Sequence, residues 1–342
     1  LTGIDPNATA NDLAGITRPE ARRQLRDSYD SGEDLPMIEP NQDDVQESRD
    51  RTTSTKPSPS AQPTVMGRFK IIRFLAQGGY CGIYEVTASD AIDQRLALKL
   101  VNRETESVSR WFEKAASVTA NLNHAHILPC HESGRIDGQP YMVMPLVDGV
   151  SVHDLARQQA LPTPAEIVRI ARSIASALDY AHQCGVVHGN VHPKHVLMDR
   201  TGHVWLIGFA EVGPGYPHEI CFGNPHHLAP EQFTSDGKTV PQTDIYALGE
   251  IVFLLLSRYF PFQNLTTHAM FDCKRFGPVP SIGKYRPELP RRIDRVLQQA
   301  MAVRPENRFR SAGEFVAELD AALDGTARPS DEADKKWWQL WR

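Results

Sequence analysis

The chain has 342 residues, 41% of them hydrophobic, which is enough for one two-lobed domain with tails or for two ordinary domains. Its formal net charge of -5 sits at one end: residues 1–66 carry 7 Lys+Arg against 12 Asp+Glu, and residues 67–342 carry 30 of each. A neutral body and an acidic leader offer no basic face for nucleic acid.

Five cysteines, Cys81, Cys130, Cys184, Cys221 and Cys273, form no C-x-x-C pair. The pattern argues against a disulfide framework and for a reducing compartment, read here as the cytoplasm. The longest apolar run, Ile245 to Leu256, is too short to cross a bilayer and is broken by Gly249 and Glu250. Neither a signal peptide nor a spanning helix is legible. The first residue is Leu, which leaves room for a preceding segment.

Residues 1–66 are polar, poor in aromatics and rich in Ser, Thr and Pro toward their end. Such a composition buries too little apolar surface to offset ordering entropy, so a disordered tail is expected, with Arg18 to Tyr29 as a short charged helix. A folded domain is expected over 67–325, divided into a small lobe (67–147) and a large one (148–325). From Arg68 to Leu75 apolar and charged residues alternate as in a half-buried strand. The glycine turn Gly78-Gly79 follows, then Leu96-Ala97-Leu98-Lys99 on a second strand. A helix is expected over Val108 to Asn121, ending before Leu122-Asn123-His124. Tyr141 to Met144 reads as a strand leading into the connection Pro145 to Gly149.

From Pro164 to Gln183, Ile167, Ile170, Ala171, Ile174, Leu178 and Ala181 recur at helical spacing, predicting a long core helix. It delivers the chain to His188-Gly189-Asn190-Val191-His192-Pro193-Lys194-His195. Beyond lie Val204 to Ala210 with Gly208-Phe209-Ala210, then Ala229-Pro230-Glu231, Asp244 to Gly249, and Arg308. Residues 326–342 are read as a polar linker followed by a segment with Trp337, Trp338 and Trp341 bracketed by Lys335, Lys336 and Arg342. Such a segment suits a membrane interface, a groove on a partner, or a helix folded back onto the domain.

Taken in order, these motifs resemble the eukaryotic-type serine/threonine protein kinases in their bacterial form. The resemblance covers about Arg68 to Leu323 and implies an α+β, two-lobed kinase-like fold with a β-rich small lobe, one main small-lobe helix and a helical large lobe. It implies a nucleotide cleft in which Lys99 reaches the phosphates and Gly78 lets the backbone approach them. Leu75, Ile83, Ala97, Met144, Val147 and Leu197 would sandwich the adenine, with the backbone of Pro145 and Val147 reading its edge. It also implies a buried ion pair between Glu231 and Arg308.

The chemistry of the family is another matter. Asn190 stands at the position of the catalytic Asp, His192 at the Lys, His195 at the metal-holding Asn, and Gly208 at the magnesium-holding Asp. The helix carboxylate that pairs with the lysine falls on Ala115. Glu113 is two residues away, about 200° around a helix. No catalytic residue and no metal ligand is therefore expected. From Gly208 to Glu231 there is no Ser or Thr, and Tyr216 is the only hydroxyl.

These substitutions imply a degenerate family member, a pseudokinase. It would present its surface to a protein partner as a signalling scaffold, with ATP, if bound at all, held without magnesium. One alternative is an atypical enzyme in which His192 acts as base while Asp199, Glu211 or Glu219 holds metal. Another is a zinc site built from His188, His192, His195, His226 and His227.

Overall fold

The computed structural model describes residues 65–78, 80–89, 91–102, 105–158, 162–210, 227–233, 239–263, 265 and 267–324. The acidic leader, the stretch holding Glu211, Tyr216, Glu219, Asn224 and His226, and the segment with Trp337, Trp338 and Trp341 lie outside these residues.

Strands β1 (Val65–Met66), β2 (Phe69–Gln77), β3 (Cys81–Ala88), β4 (Ala91–Val101), β5 (Glu132–Ile136) and β6 (Gln139–Pro145) form one sheet in the order β1-β2-β3-β4-β6-β5. Val65 and Met66 pair with Lys70 and Phe69, so the folded unit starts two residues inside the expected tail. Opposed residues share a face and side chains alternate along a strand. Ile83, Lys99 and Met142 therefore lie on one face together with Glu85, Ala97 and Met144. The opposite face buries Phe69, Val86, Leu96, Leu98 and Val143 in a core of its own.

Helix α1 (Glu106–Ala120) starts where the Thr105 hydroxyl accepts a hydrogen bond from the Val108 amide, at 3.3 Å. Its inner face, Val108, Phe112 and Ala116, packs with Val101, Leu128, Met142 and Met144 beneath the lysine-bearing face of the sheet.

The larger lobe is built on α2 (Val152–Ala156), α3 (Pro164–Gln183), α4 (Pro241–Ser257), α5 (Thr267–Phe276), α6 (Arg292–Ala300) and α7 (Ala312–Leu323). Helix α3 has the predicted bounds, because Thr163 and Glu166 cap one another and Pro164 takes the first helical position. All six residues picked out by its periodicity are buried. Helix α4 is buried from Thr243 to Ser257, which accounts for its long apolar run. Among the described residues no helix is long and apolar enough to cross a membrane.

The expected pair closes the base of this lobe. Arg308 Nη1 and Nη2 donate to the two carboxylate oxygens of Glu231, each at 2.7 Å, and Arg308 is 5% exposed. A small sheet, β7 (Gly149–Ser151), β8 (Val196–Asp199) and β9 (Val204–Leu206), lies where the chain leaves the small lobe and where the His188 loop ends. This is the two-lobed α+β arrangement that the resemblance implied.

Candidate functional site

The loop from His188 to His195 is held from below by one carboxylate. Asp244, buried on α4, accepts the backbone N–H of His188 at 2.9 Å and that of Gly189 at 2.8 Å. His182, near the end of α3, approaches the same carboxylate at 2.7 Å. His188 is fully buried. Its Nε2–H donates to the Ile207 carbonyl at 2.9 Å while its Nδ1 accepts from the Asn190 amide at 3.2 Å. Those two bonds orient the ring and make this histidine a strut between the loop and the β9 exit.

At the far end of the loop, His195 Nδ1 donates to the Asn190 carbonyl at 2.9 Å. The ring is thereby turned inward against Gly208, whose φ is +87°. A Cβ on Gly208 would lie 2.7 Å from two atoms of that ring. The corner where the resemblance implies a metal thus holds an imidazole bonded to backbone and a residue with no side chain. Burial foremost, then the charges of His188 and Lys99, hold the pKa of His195 well below its ordinary value.

The histidines stack. The ring centroids of His192 and His195 are 3.7 Å apart, those of His192 and His227 are 5.4 Å apart with planes 15° from parallel, and His227 meets Phe260 at 4.9 Å. The planes of His192 and His195 are 34° apart, and only His192 and His227 lie face to face. Among the described residues no group of three or more His, Cys, Asp or Glu side chains is placed to hold a metal ion, which overturns the zinc reading for His188, His192, His195 and His227. His226, the fifth candidate, lies outside the described residues.

Asp199, the one described carboxylate of the atypical-enzyme alternative, is engaged locally. Its Oδ1 accepts from the Thr201 amide (2.8 Å), the Thr201 hydroxyl (2.6 Å) and the His203 amide (3.0 Å), closing the turn between β8 and β9. The sequence Asp199-Arg200-Thr201-Gly202 carried that signal, an Asx turn.

In the upper wall, Ala97 and Met144 are cross-strand neighbours and both are buried, while Leu75, Ile83, Val147 and Leu197 are partly buried. Lys99 lies opposite Ile83 and Met142. Ala115 faces the core at 4% exposure, and Glu113 is turned outward to Arg135 on β5, 2.8 Å away. The glycine turn closes on itself. The Gly78 amide donates to the Cys81 carbonyl at 2.8 Å, Gln77 Nε2 reaches the carbonyls of Gly78 and Cys81, and the Asn102 amide donates to Tyr80 O at 2.7 Å.

One charged group beside this wall was not picked out from the sequence. Glu85, directly across from Ala97, is 1% exposed and held by Arg73 at 2.8 Å and Arg95 at 2.5 Å. The Arg95 hydrogen bond, opposed by burial, sets a lowered pKa. Only strand register reveals it, since the three residues lie on three different strands.

Residues 69–317 match the family described as protein kinase domain. The chain is 32% identical over 267 residues to serine/threonine-protein kinase PknD of Mycobacterium tuberculosis, covering 75% of this chain and 40% of that protein. It is 31% identical over 274 residues to PknE of the same organism, covering 77% and 48%. The chain therefore spans less than half the length of these curated relatives. A crystal structure of Rad53 1-466 in complex with AMP-PNP shares the fold, with a TM-score of 0.59 at 21% identity over 73% of this chain and 64% of that one. The chain belongs to the protein kinase family, among the bacterial serine/threonine kinases of eukaryotic type.

Proposed function

We propose that this chain is a pseudokinase: a kinase fold without phosphoryl transfer, which binds a protein partner and takes up ATP, where it does so, without magnesium. The observation that carries the reading is the packing of His195 against Gly208. Phosphoryl transfer relies on metal to neutralise the γ-phosphate and on a base to orient the nucleophile. At these positions the chain has an imidazole bonded to backbone, a glycine and an amide, a donor set that does not fit magnesium. A lost base costs about 10²–10⁴ in rate and lost electrostatic stabilisation about 10²–10³. Even a non-additive loss near ~10⁵ turns a typical rate of roughly 10 per second into hours per turnover.

The base-binding wall supports nucleotide uptake. Ala97, Met144, Val147, Leu75, Ile83 and Leu197 keep the apolar sandwich, and Lys99 and Gly78 remain for the phosphates. Retained architecture, seen in the Glu231–Arg308 pair and in Asp244 beneath the loop, supports a role for the shape itself. Thermal unfolding with ATP, with and without magnesium, tests the binding part: the same rise in Tm under both conditions is expected. A rise that depends on magnesium would contradict it.

A further inference from the structure

A cavity of about 350 Å³ opens beside the connection between the lobes; it shares Pro145 and Val147 with the expected adenine wall but is bordered by none of Lys99, His195 or Gly208. Leu128, Pro145, Val147 and Trp205 give it apolar walls, and Asp148 and Asp199 stand among its polar lining. Its volume is at the lower end of ligand pockets, roughly 300–1,000 Å³, and a Trp side chain with one N–H to satisfy suits apolar walls beside carboxylates.

We propose that this cavity is the docking site for the tryptophan segment of the same chain, Lys335 to Arg342. Reach is the first argument. Asp320, near the end of α7, is paired with Arg172 at 2.9 Å, and Arg169, three residues earlier on α3, donates to the Gly202 carbonyl at 2.6 Å. Gly202 follows Thr201, which lines the cavity. The end of the described chain and the cavity therefore attach to α3 less than one turn apart, a rise of about 4.5 Å. Twelve residues, 325 to 336, precede Trp337, and a chain of that length can reach up to about 40 Å.

Charge is the second argument. Asp148 and Asp199 line the site with Arg200 as the one cation, itself 3.1 Å from Asp148, whereas the segment brings Lys335, Lys336 and Arg342. Tethering adds an effective concentration in the millimolar range, so that a single seated indole suffices. The linker also favours this occupant over a membrane: one short segment has marginal affinity for a bilayer. Because Pro145 to Asp148 form both a wall of the cavity and the connection between the lobes, docking would stiffen that connection.

Fluorine NMR of the full chain carrying 5-fluorotryptophan tests the proposal, since the chain has five tryptophans and Trp205 reports from the cavity wall. Replacing Trp337, Trp338 and Trp341 together by Ala is expected to move the Trp205 resonance while leaving that of Trp111 in place. Asp148→Lys, an exposed change, is expected to return the tail resonances to the position of unstructured tryptophan. A Trp205 resonance indifferent to the triple substitution would overturn the proposal. So would tail resonances that move only when vesicles of phosphatidylserine and phosphatidylcholine are added, or only as protein concentration rises, which would assign the segment to a membrane or to a second copy.

Discussion

The imidazole of His195 occupies the space in which a side chain on Gly208 would begin, 2.7 Å from the position its Cβ would take. The two substitutions depend on each other: the larger ring fits because residue 208 has no side chain. Gly208→Ala adds the cost of a left-handed conformation, about 1–2 kcal/mol, to overpacking of about 1–3 kcal/mol. The double variant His195→Asn/Gly208→Ala should retain the backbone cost and shed most of the rest. Urea denaturation of the four proteins gives the coupling directly, and additive losses would show that the contact carries no energy.

Glu231 and Arg308 should be intolerant of change from either side. The guanidinium is bidentate on Glu231, bonds the carbonyls of Gln242, Ala302 and Val303, and lies 4.9 Å from the Tyr246 ring. Arg308→Met leaves a largely buried carboxylate with Thr243 as a remaining side-chain donor and should cost about 3–5 kcal/mol. Arg308→Lys should recover little of it, because an ammonium cannot bridge both oxygens. Chemical denaturation checks both.

Stability should fall on mild acidification. The pKa of His195 in the folded protein lies below its ordinary value, about 6.5 in the unfolded chain, so the unfolded state binds more protons as pH drops. The contribution is complete above about pH 6.5 and is lost from there down toward the folded pKa. Burial foremost, then His188, Lys99 and His227, oppose its charging. The urea midpoint should drop between pH 7.5 and 5.5, and His195→Asn should drop less. A remainder is expected from His124, whose pKa is lowered by burial and then by the charge of His126.

Both lobes were legible because periodicity and motif order constrain them: apolar recurrence from Pro164 to Gln183 marked α3, and the resemblance paired Glu231 with Arg308 across 77 residues. The resemblance placed the carboxylate position on Ala115, and helical rotation from there turned Glu113 outward. Ring orientation was not legible. Histidines close in sequence suggested a metal site, yet stacking and backbone bonds set where their nitrogens point. Nor could sequence supply the Glu85 cluster or β1, which depend on register between strands and on a two-residue pairing in a polar stretch.

Glu113 offers a check on the cleft. Its bond to Arg135 is half exposed on both sides, where such pairs contribute about 0–1 kcal/mol. Glu113→Ala should therefore leave any ATP-dependent shift in Tm unchanged. A shift abolished by this substitution would mean that Glu113 turns inward to the phosphates when nucleotide binds.

Radiolabel transfer from γ-labelled ATP with magnesium, run on the full chain beside its Lys99→Met variant, tests the central claim most directly. The account predicts no labelling above background, or the same trace signal in both proteins. Transfer by the natural chain that disappears in Lys99→Met would contradict it, and would mean that phosphoryl transfer proceeds without a carboxylate at positions 190 and 208.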